Sequence, residues 1–111
     1  MEVQTIQKYI HTTPRKLRLV ADMVRGLTPT SALNILQITP KAAADDLAKA
    51  IKTVLANAKQ MGMDTEKAFF KKIEINESIK TRRFRAGTRG RVKPYKKRMS
   101  HIKIVLSDEK E

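Results

Sequence analysis

The residues with the most chemistry to offer lie in one stretch, 80–98, which reads K-T-R-R-F-R-A-G-T-R-G-R-V-K-P-Y-K-K-R. It holds ten Lys and Arg and no Asp or Glu, so it carries +10 of the chain's +13 net charge. Such a run repels itself and has too few apolar groups to offset the entropy of ordering. It should order only against something anionic. Other reactive groups are scarce. The absence of Cys excludes disulfides, thiolate metal sites and cysteine nucleophiles. The histidines, His11 and His101, are far apart in sequence. They could approach across a sheet, but no acidic pair has metal spacing around them, and no glycine-rich phosphate loop precedes a helix. A histidine just after a strand is more often a structural hydrogen-bonder or a phosphate contact than a catalyst. No catalytic residue, metal or cofactor is assigned.

At 111 residues the chain is long enough for one domain, residues 1–111, near the small end of independent stability. Its pI near 10.4 favours polyanions, nucleic acid first and anionic membrane second. The first ten residues lack the basic and continuous apolar regions of a signal peptide, and no apolar run approaches the ~20 residues that span a bilayer. Membrane-surface binding is further disfavoured because the cations lie in an extended, Gly-containing segment without an amphipathic helix.

The elements that must position this stretch are legible from periodicity. Residues 2–10 alternate with β-branched side chains and predict a strand. Three Thr-Pro pairs, Thr13-Pro14, Thr28-Pro29 and Thr39-Pro40, each offer an N-cap followed by a residue that needs no donor. They predict helices over 14–25, 29–38 and 40–61. The first carries an apolar stripe of Leu17, Val20, Ala21 and Val24, the second buries Ala32, Leu33, Ile35 and Leu36, and the third buries Ala44, Leu47, Ala48, Ile51, Val54, Leu55 and Ala58. Gly26 and Gly62 supply stops, and Met23, Met61 and Met63 suit core gap-filling. Strands are predicted at 69–77, with Ile73 and Ile75 on one face, and at 99–106, with Ile102, Ile104 and Leu106 on one face. Opposite its apolar stripe, the first helix places Arg15, Arg18, Asp22 and Arg25 within roughly 80° of one another. Beside so basic a segment, that face points to phosphate.

The basic stretch is therefore an insertion between two strands of one sheet. A structureless loop of this length is uncommon unless functional. The economical geometry is an antiparallel hairpin that bends near 87–90 and reaches on the order of 30 Å. Phe84 and Tyr95 could face each other across its legs or stack on bases. Arg82, Arg83, Arg85, Arg89 and Arg91 dominate the tip half, and Lys93, Lys96 and Lys97 the return. Arg forks match phosphate oxygens and stack on base planes, which suits a folded RNA. A localisation signal is a weaker reading, because such runs seldom sit between paired strands. A DNA-binding helix-turn-helix with a basic wing is the alternative. It would need base-reading side chains at the start of the third helix, where Asp45 and Asp46 lie instead.

The segments Thr13-Pro14-Arg15-Lys16-Leu17-Arg18-Leu19-Val20-Ala21-Asp22, Asn57-Ala58-Lys59, Arg83-Phe84-Arg85, Arg89-Gly90-Arg91 and Lys97-Arg98-Met99-Ser100-His101-Ile102 occur in this order along the chain. Together they resemble the bacterial-type family of large ribosomal subunit protein number twenty-two, over nearly the whole length. The resemblance implies an α+β fold, with a three-stranded antiparallel sheet, three helices and a long hairpin arm at about 79–98. It implies a structural, non-enzymatic constituent of the cytoplasmic large subunit that binds rRNA early in assembly. Neighbouring ribosomal proteins and the nascent polypeptide would be its partners, and it would not form a homo-oligomer. The domain would sit at the mouth of the peptide exit tunnel with the arm running inward. The tip in the tunnel wall would comprise Arg85, Ala86, Gly87, Thr88, Arg89, Gly90, Arg91, Val92 and Lys93. The rRNA contacts implied are Lys8, His11, Arg15, Lys16, Arg18 and Arg25, then Lys80, Arg82, Arg83, Arg85, Arg89, Arg91, Lys93, Lys96, Lys97 and Arg98 of the arm, and His101. This chain departs from the family's usual Pro-Arg-Ala at Ala86-Gly87-Thr88 and from its usual Thr at Met99.

Overall fold

The alternation that marks strands in the sequence also decides which face of the sheet is buried. The computed structural model describes residues 2–86 and 92–108, with backbone only at 78–86 and 92–98. Strands β1 (Glu2–Ile10) and β2 (Phe69–Ala86) flank β3 (Val92–Ser107) in the order β1-β3-β2, both antiparallel to it. Rows run straight across: Thr5 pairs with Ile104 and Ile104 with Ile73, and Gln7 pairs with Ile102 and Ile102 with Ile75. Ile102, Ile104 and Leu106 are wholly buried, as sequence alternation predicts.

Helices α1 (Pro14–Val24) and α3 (Ala42–Gln60) cover that face, and α2 (Pro29–Ile38) packs on α3. The middle of the layer is α3, which packs on α1, α2, β1 and β3. Its stripe carries Ala43, Ala44, Ala48, Ala50 and Ala58 beside Leu47, Ile51 and Val54, all buried. Small side chains there let four elements approach one helix closely. Gly62, at φ +83°, ends α3. Its N–H donates to the Lys59 carbonyl and Met63 N–H to the Ala58 carbonyl, so a buried Met63 closes the helix end.

Three expectations change. Pro14 and Pro29 do open helices, but only Thr28 uses its side chain as a cap, accepting from Ser31 N–H at 3.4 Å, and Thr13 makes no such bond. Thr39 caps the C-terminus of α2 instead, donating its hydroxyl to the Ile35 carbonyl at 2.7 Å, and α3 starts after Lys41. Proline disfavours a helical residue before it, so Pro40 acts here as a stop for α2. Of the methionines named for the core, Met63 is buried, whereas Met23 and Met61 are 45% and 62% exposed. Met23 lies on the outer flank of α1, and Met61 lies beyond the last turn of α3. Leu33, Ile35 and Leu55 are only partly buried.

Two polar contacts fix the layers to each other. Ser100, wholly buried, donates to the Thr12 carbonyl at 2.6 Å, and Thr12 Oγ1 donates to Asp46 Oδ2 at 2.5 Å. The loop between β1 and α1 is thereby tied to β3 and to the first turns of α3. At the far end of the sheet, Lys71 pairs with Glu2 across the outer strands. That hydrogen bond and the ammonium charge hold the exposed Glu2 carboxyl below the usual carboxylate range.

Beyond the helices only β2 and β3 continue, still paired, from Lys80 opposite Arg98 to Ala86 opposite Val92. The molecule measures 61 × 25 × 23 Å, and its radius of gyration of 16.9 Å exceeds the ~13 Å of a compact chain this long. The predicted bend at 87–90 lies outside the described residues.

Removing residues 82–96 and closing the legs with a short turn between Thr81 and Lys97, which are opposite each other in the register, should leave thermal unfolding cooperative, because the buried cluster of the described residues draws on the helices and the body of the sheet. Loss of a cooperative transition would show the arm to be integral. Ser100→Ala, which leaves the Thr12 carbonyl without its donor, should cost about 1–2 kcal/mol by urea unfolding.

Candidate nucleic-acid interface

The ladder of the arm fixes which of its residues face each other. Of its seven pairs among the described residues, three set cation against cation: Lys80 with Arg98, Arg82 with Lys96 and Arg85 with Lys93. Like charges directly opposite destabilise an antiparallel pair. Phe84 pairs with Pro94 and Tyr95 with Arg83, so the two aromatics are not opposite one another as the sequence suggested. Arg89 and Arg91, together with Gly87, Thr88 and Gly90 of the expected tip, lie outside the described residues. Lys97 pairs with Thr81, and Ala86 with Val92.

The basic face of α1 divides into two uses. Arg18 donates to the Ile75 carbonyl at 3.0 Å and Arg25 to the Ile73 carbonyl at 2.8 Å. These residues are seven apart, two helical turns, and they meet carbonyls two apart on a strand. Because β2 is an edge of the sheet, alternate backbone groups on its outer side have no ladder partner. The two arginines occupy that edge. Arg25 also pairs with Asp22 at 3.0 Å, both half-exposed. A guanidinium has five N–H donors, so neither arginine is exhausted by these bonds. Arg15 and Lys16, exposed like the other two, stand on the first turn of α1. Arg15 and Arg18 line a small cleft with Thr13, Pro14 and Glu77, which places the start of α1 beside the root of the arm.

The two histidines could have approached across the sheet, but His101 has a different neighbour. His101 faces Tyr9, with ring centroids 5.3 Å apart at 79°, and its Nδ1 accepts from Tyr9 N–H at 3.2 Å. His11 lies one residue past β1 and is exposed, as is Lys8. The β1–β3 register shifts between Gln7 and Ile10, and Tyr9 there has φ 58°. A bulky side chain in the left-handed region costs about 1–2 kcal/mol. The bond from His101 helps hold it there.

Sequence reasoning missed Thr12, Asp46, Ser100 and Tyr9. Ser100 did carry a signal, a polar residue at an inward position of an alternating strand. Nothing in the sequence marks Tyr9 as left-handed. Among the described residues no group of three His, Cys, Asp or Glu could hold a metal, and no helix is long and apolar enough to cross a membrane.

The helix-turn-helix alternative fails on packing. The helix that would enter a groove, α3, is the buried centre of the helical layer, and Asp46 at its start is occupied by Thr12.

The family model described as Ribosomal protein L22p/L17e matches residues 5–107. Relatives named Large ribosomal subunit protein uL22 span the whole chain. That of Clostridioides difficile (strain 630) is 39% identical over 99% of this chain and 100% of its own length. That of Nitratidesulfovibrio vulgaris (strain DSM 19637 / Miyazaki F) is 39% identical over 100% of both. That of Staphylococcus aureus (strain Newman) is 39% identical over 100% of this chain and 96% of its own. With these matches, a small α+β body bearing a paired, strongly basic arm defines a ribosomal structural protein and not an enzyme. The chain belongs to the L22p/L17e family of ribosomal proteins, in its bacterial uL22 form.

The division of labour on α1 predicts a split in stability. Arg18→Ala and Arg25→Ala should each lower stability by about 1 kcal/mol in urea unfolding, through the carbonyl each leaves without a donor. Arg15→Ala should stay within about 0.5 kcal/mol of the parent. A stability loss for Arg15→Ala equal to the others would refute the division.

Proposed function

We propose that this chain is a structural constituent of the large subunit of the cytoplasmic ribosome, held there by contacts to large-subunit rRNA that form during assembly. The observation that carries this reading is the register of the arm, which sets Lys or Arg against Lys or Arg in three of its seven pairs. A hairpin with that ladder gains from phosphates on both sides, since anions neutralise the repulsion that the paired legs otherwise bear. Family membership points the same way, as does the length of the molecule, more than twice its width.

In this reading Arg15, Lys16 and Lys8 seat the body on rRNA, with the remaining donors of Arg18 and Arg25 contributing. His11 and His101 flank that seat. Lys80, Arg82, Arg83, Lys96, Lys97 and Arg98 carry the arm between RNA elements. Residues 85–93 reach the wall of the peptide exit tunnel and border the nascent chain. The arm is wide enough only for two strands, a form suited to threading a folded RNA.

Filter binding to large-subunit rRNA across a salt series tests this. Affinity should fall steeply with salt, and the slope should drop by about 0.7–0.9 for each phosphate contact removed. Removal of 82–96 should flatten it most, and Arg15→Ala with Lys16→Ala less. Substitution within the tip, such as Thr88→Ala, should leave the slope unchanged. Identical slopes for the parent and the arm-deleted chain would refute an rRNA-bound arm.

A further inference from the structure

The outer face of the sheet, away from the helices, carries a row the basic arm does not account for. Tyr9 sits at the β1 bulge, His101 is its neighbour on β3, and Asn76 lies opposite His101 on β2. Tyr9 is 53% exposed, and Asn76 is exposed as well. The row spans two inter-strand spacings, about 10 Å. It lies next to the root of the arm, since Ser100 and Glu77 form the last pair before the arm begins.

Three features of this row are unusual together. A tyrosine is held in the left-handed region, φ 58°, where glycine or asparagine would rest without strain. The backbone N–H that this conformation presents is taken by His101 Nδ1, and the two rings meet edge to face. Accepting at Nδ1 places the proton of a neutral imidazole on Nε2, a donor beside the aromatic ring. Packing does not call for the strained tyrosine, because half of its surface is in solvent. The bulge instead sets an exposed aromatic ring on an open sheet, beside a ring N–H and, one strand further, a carboxamide.

We propose that Tyr9, His101 and Asn76 form a seat for one unpaired RNA nucleotide, with its base stacked on the Tyr9 ring and its polar edge or sugar met by His101 Nε2–H and the Asn76 amide. Aromatic platforms on open sheets take unstacked bases in this way, and every base offers a π-face. Lys8 is the adjacent exposed cation, and Lys103 in the next row stands opposite Glu74 in the register. Binding at the seat therefore rests on stacking more than on charge. This seat presupposes the rRNA-binding reading above and adds to it a contact that does not depend on salt.

The test uses the full chain and full-length bacterial large-subunit rRNA, by filter binding at several salt concentrations and by thermal unfolding. Tyr9→Gly and Tyr9→Asn remove the ring while suiting the left-handed backbone. Both should bind about five- to a hundredfold more weakly, with the salt slope unchanged and the unfolding midpoint unchanged or higher. Tyr9→Phe should bind as the parent does. With Tyr95→Phe, Tyr9 is the sole tyrosine in a chain without Trp, and its fluorescence should be quenched by rRNA and not by inorganic phosphate. The proposal is overturned if Tyr9→Gly binds rRNA like the parent, if Tyr9→Phe loses as much as Tyr9→Gly, or if no quenching accompanies binding. Parental rRNA affinity of Tyr9→Gly, with a defect only in incorporation into subunits, would overturn it in favour of a protein neighbour. Failure of the parent to bind rRNA selectively, or equal binding by the arm-deleted chain, would instead overturn the underlying reading and the seat with it.

Discussion

One backbone ladder, that between β2 and β3, holds two structures of opposite character. In the body its pairs are Ile73 with Ile104 and Ile75 with Ile102, buried under helices on one side. In the arm the same ladder runs on through a strongly basic stretch in which three pairs set cation against cation. Burial stabilises the first part strongly, whereas like charges opposite each other oppose the second, so the second part depends on the first to start it. Everything distinctive about the molecule follows from running one pair of strands from an apolar environment into a charged one.

The junction is correspondingly well secured. Ser100 stands on the last β3 position paired to β2 before the arm, and its bond to Thr12 ties that position to the loop leading into α1. Along the other side, Arg18 and Arg25 close the exposed edge of β2. A strongly basic protein thus spends some of its cations on its own backbone. An arginine can serve both purposes because its five donors fan out in a plane, so that one can meet a backbone carbonyl while others remain for another partner. Lysine, with one compact ammonium, would serve less well at either position.

Most of the architecture was legible in the sequence because it is periodic. Alternation located Ile73, Ile75, Ile102, Ile104 and Leu106, and helical spacing located the stripes of α1 and α3. The uninterrupted flanking strands made the basic stretch an arm and not a tail. What could not be read was contact between elements remote in sequence. Nothing local says that Arg18 meets a carbonyl of residue 75, or that His101 receives Tyr9 and not His11. Thr39-Pro40 shows a subtler ambiguity, since the same dipeptide that can begin a helix can end the previous one. The two possibilities differ only in where the next helix finds its first turn. Face assignment on α1 was right in angle and incomplete in purpose, because an angle does not say what lies opposite.

The β2–β3 register shifts twice, between Phe70 and Lys72 and between Glu77 and Lys80. Each shift gives β2 one residue more than β3, and the second falls at the foot of the arm. A strand pair with a buried face corrects its own alignment, because a slip of one residue would expose the apolar side. The arm, nearly uniform in charge, has no such corrective. Its alignment is inherited from the Ile pairs and from the bulge behind it. The arm is therefore a measuring rod, graduated in residues from a fixed mark at its foot. How far it extends is set by how many residues separate that mark from the end, and a residue gained or lost in one leg would not be absorbed along the way.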